Sequence, residues 1–337
     1  MRTILLFFLS LNTLLAGAQE QRYTFSAIKM GSPFRVICYV KDTASGRALE
    51  RGALGLVDSL NNIFSDYLPG SELNRLCSTA GMDSFVSVSD PLYDILVQSE
   101  EAWKQTKGRF DITIGPLSRS WRRWRREKYF PAPDSVHAAR SRTGFKKLVI
   151  DKSRRQIKLL GKGMQLDLGG IGAGYIAEAV LSYLSANGVG SALVDASGDI
   201  VCGGAPPAKK GWVIGVNLPG KENRVHSETI ILSRKSVSTS GDVFQYIEHD
   251  GKKYSHIIDP ITGYGVTHQR NVTIIAKDGA TADWLATACS IVPMRQARRL
   301  VRRAGGEFLI AQMVANQLKT YSSPGFKNYW NKETDIP

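Results

Sequence analysis

The stretch from Met164 to Glu178, MQLDLGGIGAGYIAE, constrains the fold more than any other part of this sequence. Met164 to Leu168 is a short apolar run around one acid, Asp167, and reads as a strand. Gly169, Gly170, Gly172 and Gly174 then fall within six positions. After them Tyr175, Ile176, Ala177, Val180, Leu181 and Leu184 recur at the spacing of one buried helical face. A strand, a glycine-rich turn and a helix N-terminus together bind anions well. Free N–H groups and the positive end of the helix dipole face a ligand that no Cβ keeps away. The plainer alternative is a tight turn whose glycines supply φ > 0.

A dinucleotide fold competes for the same residues. Gly172-Ala173-Gly174-Tyr175-Ile176-Ala177 satisfies G-x-G-x-x-A, and Asp195 follows about twenty residues on, after the apolar run Ala192 to Val194. Against it, the motif sits mid-chain, an antiparallel-looking stretch precedes it, and no alternating βα units follow. Tyr23 to Val40 reads as paired strands around Met30-Gly31-Ser32, with Phe34, Val36, Cys38 and Val40 at period two. Leu49 to Phe64 has helical spacing, and Asp90-Pro91 starts a helix that Gly108 ends. Short strands are expected within Lys146 to Leu168 and near Ala192 to Val194, Trp212 to Val216, Thr229 to Leu232, Phe244 to Glu248 and Asn271 to Ile275. The mixture predicts an α+β fold of mixed, largely antiparallel sheets with flanking helices, in two intimate lobes.

Residues 1–18 have the features of a signal peptide: Arg2, an apolar run from Ile4 to Leu15, and Ala16-Gly17-Ala18 before Gln19. The expectation is secretion across the inner membrane into the periplasm, with 19–337 as one domain. Cys38, Cys77, Cys202 and Cys289 are scattered without metal-ligand spacing, so disulfides or buried free thiols are expected rather than zinc. The formal charge of +14 is concentrated in RSWRRWRREK (residues 119–128) and RQARRLVRR (residues 295–303). Two amphipathic helices with solvated basic faces account for these runs, with attraction to an anionic membrane surface as the second reading and no role for nucleic acid.

Three polar groupings carry the chemistry. Asp283 and Thr287 are four apart in a helical stretch and share a face, with no other acid beside them in the sequence. Such an oxygen-only pair suits Mg²⁺ rather than zinc. His256 ends an apolar run before Asp259-Pro260 and is either a structural hydrogen-bonder or an acid/base group. Tyr67, in the polar loop from Ser65 to Asn74, can stack on a flat ring, and Thr239-Ser240-Gly241-Asp242 reads as a small-residue turn near a ligand.

Taken in order, the chain resembles the ApbE-like flavin transferases, the FAD:protein FMN transferases. The matching pieces are Met30-Gly31-Ser32, Tyr67 with Ser71-Glu72 and Asn74, Gly108-Arg109-Phe110-Asp111 through Gly115-Pro116-Leu117, and Asp167 through Tyr175. Gly198-Asp199-Ile200, Ser240-Gly241, His256 through Gly263 and Ala282 through Ala288 complete the series. The resemblance implies transfer of FMN from FAD to a Thr or Ser hydroxyl of a cell-envelope acceptor protein, with release of AMP, by a monomer or homodimer. It implies Mg²⁺ on Asp283, Thr287 and the carbonyl of Gly172. It implies FAD contacts at Met30, Tyr67, Arg109, Phe110, Asp111, Gly169, Tyr175 and Ile257. His256 becomes an acid/base or pyrophosphate-binding residue, and Asp283 the acid on which catalysis depends. Departures from the family pattern are Ala173 where a Lys is common, Glu178 for Asp, and Asp195 and Ser197 for Asn and Gly. A FAD-binding protein or a FAD pyrophosphatase that transfers nothing remains open, because all three would use the same pocket.

Overall fold

Two strands, β1 (Gln21–Lys29) and β2 (Ser32–Val40), pair antiparallel through a two-residue turn, Met30-Gly31, whose φ angles are +53° and +75°. Positive φ at both central residues matches the right-handed twist of the flanking strands. The computed structural model describes residues 20–219, 225–241, 245–314 and 317–331. The signal-peptide residues, Gln19, Asp242 and Phe244 lie outside them.

Along the chain follow α1 (Thr43–Phe64), α2 (Glu72–Ser78), β3 (Val86–Ser87), α3 (Asp90–Thr106), α4 (Gly115–Glu127), α5 (Pro133–Arg140), β4 (Leu148–Asp151), β5 (Gln156–Leu159) and α6 (Gly172–Ala186). Next are β6 (Ala192–Ala196), β7 (Asp199–Cys202), β8 (Trp212–Pro219), β9 (Val225–Leu232), β10 (Lys235–Gly241), β11 (Tyr246–His249), β12 (Lys252–Ser255) and β13 (Arg270–Ala276). The chain closes with α7 (Gly279–Ile291), α8 (Met294–Arg303), β14 (Glu307–Val314) and β15 (Gln317–Ser322).

Eight strands form one sheet in the order β1-β2-β6-β7-β10-β13-β14-β15, with every neighbouring pair antiparallel. Alternation along the strands separates two cores. Phe34, Val36 and Cys38 of β2, Val194 of β6, and Val272 and Ile274 of β13 face the core shared with α1, α6, α7 and α8. Leu193, Cys202, Val237, Ile275 and Leu309 face a second core under the β8–β9 hairpin. A third, aromatic-rich cluster joins Leu117, Trp121 and Trp124 of α4 to Val136, Ala139, Ile247 and Ile258. Such a sheet excludes the dinucleotide fold, and Asp195 instead bonds Arg35 and the N–H of Gly198.

Two readings of the sequence need correction. Met164 to Leu168 is extended but belongs to no strand: the N–H of Asp167 bonds the carbonyl of Ile112 at 2.8 Å, and that of Leu166 faces the sulfur of Cys77 at 3.2 Å. The segment is held by side-on contacts with α2 and with the short 3-10 turn at Ile112, not by a ladder. Thr239 to Gly241 is the end of a central strand, β10, not a turn. The four cysteines are free thiols, three of them fully buried. No helix among the described residues is long and apolar enough to cross a membrane.

Candidate active site

A cleft of about 550 Å³ opens between α7, the sheet and the third cluster. Asp167, Gly169 and Gly170 of the glycine-rich segment line it, and the glycines act in a way the sequence did not suggest. Gly169, Gly170, Gly172 and Gly174 all have ordinary φ, so no left-handed turn requires them. A Cβ on Gly170 would lie 2.9 Å from Oγ1 of Thr287, and one on Gly174 would lie 2.1 Å from the carbonyl oxygen of Gly279. The glycines let α6 and α7 cross with their backbones in contact.

Carboxylates seal this crossing from both sides. Oδ2 of Asp283, on α7, accepts from the N–H of Gly174 at 3.1 Å, and Oε2 of Glu178, on α6, accepts from the N–H of Gly279 at 3.0 Å. Each acid caps the other helix's N-terminus, where unpaired donors and the helix dipole favour negative charge. The anion-site reading is correspondingly narrowed. Gly169 donates to Asp167, Ile171 and Gly172 to Leu168, Gly174 to Asp283 and Tyr175 to Ile171. Gly170 and Ala173 alone keep free N–H groups within residues 169–175, and Gly170 lines the cleft.

The sequence places no acid near Asp283, but the fold does. The β6–β7 turn, with Ser197 at φ +59° and Gly198 at +105°, delivers Asp199 to the cleft beside α7. Burial pushes the Asp199 carboxyl up to about 6, against a 2.5 Å hydrogen bond from Ser238. Burial also holds the Asp283 carboxyl far above its ordinary range, and the Asp199 charge raises it further. Two buried acids that repel each other, beside the Thr287 hydroxyl, make a donor set suited to a hard divalent cation. Among the described residues no cluster of three or more His, Cys, Asp or Glu side chains is placed to hold a metal ion, so a cation here would rest on the two acids with hydroxyl and backbone oxygens.

Arginines line the same cleft. In α4 the basic face is not wholly solvated: Arg122 and Arg125 line the cleft, and Arg119 bonds Asn74 and the carbonyl of Asp66. Arg122 pairs with Asp66 and lies 4.3 Å over the ring of Tyr67, which is 73% exposed at the cleft mouth. Burial opposes the Arg122 charge, and Asp66, Asp167 and Tyr67 together more than restore it. Arg109 pairs with Asp259 at 2.5 Å. Arg125 has a neutral partner, Oε1 of Gln245 at 2.8 Å, so its charge is the least neutralised of the three. In α8, by contrast, Arg295, Arg298, Arg299, Arg302 and Arg303 are exposed over a buried face of Ala297, Leu300 and Val301, as the basic run suggested.

His256 stands on the cleft rim, open to solvent on one side and packed by protein on the other. Burial lowers its pKa, the Gln245 carbonyl raises it, and Arg125 lowers it again. Nδ1 lies 3.3 Å from that carbonyl oxygen, which favours the proton on Nδ1 and leaves Nε2 as an acceptor.

Of the residues expected from the sequence, Tyr67, Arg109, Phe110, Asp111, Gly169, His256, Ile257, Asp283 and Thr287 line the cleft. Asp111 is tied to its own turn: it accepts from Thr113 and from the N–H of Phe145. Met30, Gly172 and Tyr175 do not line it. Met30 sits in the β1–β2 turn, Gly172 starts α6, and Tyr175 packs edge-on against Phe64 at 5.3 Å. Ala173 is half-buried and also outside the lining. Sequence reading gave Asp199, Ser238, Arg122 and Arg125 no role; a buried-strand acid directly after a Ser-Gly turn was the available signal for Asp199.

A family model described as the ApbE family matches residues 30–310. The chain is 30% identical over 307 residues to a FAD:protein FMN transferase of Klebsiella pneumoniae (strain 342), covering 89% of this chain and 87% of that protein. It is 28% identical over 326 residues to one from Vibrio cholerae serotype O1, covering 95% and 96%. Among solved structures, the flavin transferase ApbE from Vibrio cholerae superposes with a TM-score of 0.82 at 24% identity, covering 92% of this chain and 99% of that one. The apo form of the Pseudomonas stutzeri flavinyl transferase ApbE gives 0.80 at 27%, covering 92% and 97%. With a family match across most of its length, on an antiparallel sheet whose helices cross at a glycine-lined cleft, this chain belongs to the ApbE family.

Proposed function

We propose that the cleft binds FAD and that the protein is a FAD:protein FMN transferase of the periplasm, acting on a Thr or Ser hydroxyl of an envelope acceptor. The observation that carries this reading is that Asp283, Thr287, Asp199 and Gly170 line the same cleft as Arg122 and Arg125. A flavin diphosphate needs both features: oxygen donors for a cation and positive charge for the remaining phosphate oxygens. Asp283, with one oxygen committed to Gly174 and one free, would hold Mg²⁺ with Thr287; the carbonyl of Gly172, the third ligand that the resemblance implies, stands at the start of α6 outside the cleft lining. Bound there, the ion supplies charge neutralisation for phosphoryl-type transfer.

The protein's own groups orient the reaction. Tyr67 and Arg122 offer a flat surface at the mouth for a ring, and Arg125 offers a charge to the diphosphate. The acceptor oxygen bonds to the FMN-side phosphorus as the bond from that phosphorus to the bridging oxygen breaks, and AMP leaves with that oxygen. The hydroxyl proton passes to Nε2 of His256, which burial and Arg125 favour in the neutral form at pH 7.

The test is incubation with FAD, Mg²⁺ and a Thr-containing acceptor domain. The expected result is an acceptor heavier by one FMN less water, with one AMP released per transfer. AMP without added mass identifies a pyrophosphatase, and intact FAD under all conditions identifies a binding protein.

A further inference from the structure

The β8–β9 hairpin covers only part of its face of the large sheet. Its core contacts run from Ile37 and Tyr39 of β2 through β6, β7, β10 and β13 to β14, and no residue of β1 joins them. The result is a groove of about 800 Å³, distinct from the cleft, in which Ile37, Tyr39, Leu193 and Ile200 of the sheet meet Trp212 through Gly215 of β8.

The two edges of the hairpin differ. That of β9 is taken: Ile230 bridges Trp330, and the N–H of Asn331 bonds the carbonyl of Thr229 at 2.9 Å. β8 pairs with β9 and, among the described residues, with no other strand. Residues 212–215 of this strand line the groove, and Val213 there is 60% exposed. A strand edge with unpaired N–H and C=O groups and an exposed β-branched residue is a template for another strand. Folded proteins usually guard such an edge with Lys, Pro or a bulge, and residues 212–215 carry none of these.

Charge selects what fits. Arg22, Arg35, Lys209 and Lys210 line the groove against one acid, Asp195. That acid is already engaged by Arg35 at 3.1 Å and by the N–H of Gly198 at 2.9 Å. Arg22, Lys209 and Lys210 form no ion pair among the described residues. We propose that this groove docks an acidic, extended segment of a protein partner, which adds as a strand to β8 and sets its carboxylates against Arg22, Lys209 and Lys210. The strand edge distinguishes this ligand from a nucleotide or a free polyanion, which would use the charge and ignore the backbone. The inference is independent of the chemistry in the cleft.

The test uses the mature protein and a fluorescein-labelled octapeptide alternating Glu with Val and Thr, followed by anisotropy at low salt. Saturable binding is expected, with amide shifts concentrated in residues 212–215. The exposed double variant Lys209→Glu/Lys210→Glu, checked for an unchanged melting temperature, should bind about tenfold more weakly or worse. A peptide with Pro at alternate positions, unable to donate to β8, should lose binding to the same degree. Absence of saturation overturns the proposal. So does equal binding of the Pro peptide, or its displacement by inorganic polyphosphate with no shift in residues 212–215, because either makes the groove a charge patch. Self-association that excludes the peptide also overturns it, by showing a second copy as the occupant.

Discussion

Replacing Gly174 with Ala tests whether the glycine run exists for helix contact. The new methyl would lie 2.1 Å from the carbonyl oxygen of Gly279 and 2.9 Å from Cβ of Asp283, where ordinary contact starts near 3.4 Å. Both neighbours are rigid, so α6 and α7 must separate by about 1 Å or more, an overpacking cost of about 1–3 kcal/mol. Separation also stretches the Gly174–Asp283 hydrogen bond, a charge-assisted contact worth about 1.5–3 kcal/mol. Ala recovers about 0.5–1 kcal/mol of helix propensity. The net loss is roughly 2–5 kcal/mol, which for a domain of this size lowers the melting temperature by about 4–10 °C. Gly172→Ala is the control, since its methyl would meet only Cβ of Leu168 at 3.8 Å. Differential scanning calorimetry of the two variants decides. If Gly174→Ala melts with Gly172→Ala, the contact carries no energy and the argument from close approach fails.

Asp283→Asn retains the shape at Gly174 while removing the charge that burial beside Asp199 disfavours; Mg²⁺-dependent FAD turnover should fall about a hundredfold or more with no loss of melting temperature. Full turnover in this variant would take Asp283 out of the site. Arg125→Gln should weaken FAD binding roughly ten- to hundredfold by equilibrium titration. In the same variant the His256 midpoint, followed by NMR, should rise towards 6.5, because a neighbouring cation that penalises imidazolium has gone. An unchanged midpoint would mean that burial and the Gln245 carbonyl set it without Arg125. Protein recovered from the periplasm should begin at Gln19, and N-terminal sequencing that finds Met1 there would refute the signal-peptide reading.

The sequence was most informative where one periodicity dominates. β1 and β2 alternate cleanly because one face meets the large core, and α7 could be located from residues that all pack inward. β10 escaped notice because its inward positions are Ser236 and Ser238. α7 lies too close to this strand for larger side chains, so the apolar signal of a central strand is missing. Met164 to Leu168 misled for the reverse reason: its apolar residues are buried in the large core, but its backbone joins no ladder, and such burial gives the same pattern as a strand. Asp199 reaches Asp283 only through the sheet order, which places β7 beside β10 and both under α7. No local spacing encodes that meeting.

The free thiols make this protein its own recorder of motion. Cys38 and Cys202 sit on opposite faces of the large sheet, Cys289 lies inside α7, and burial pushes the three up to about 11, 12 and 12, so none reacts until its element opens. Cys77, half-buried on α2 and touching the N–H of Leu166, reports instead on the loop behind the glycine-rich segment. A slow thiol reagent therefore times four separate openings in one unlabelled chain. If cleft opening is confined to the loops and the third cluster, Cys77 should react while Cys289 waits for α7 to unfold.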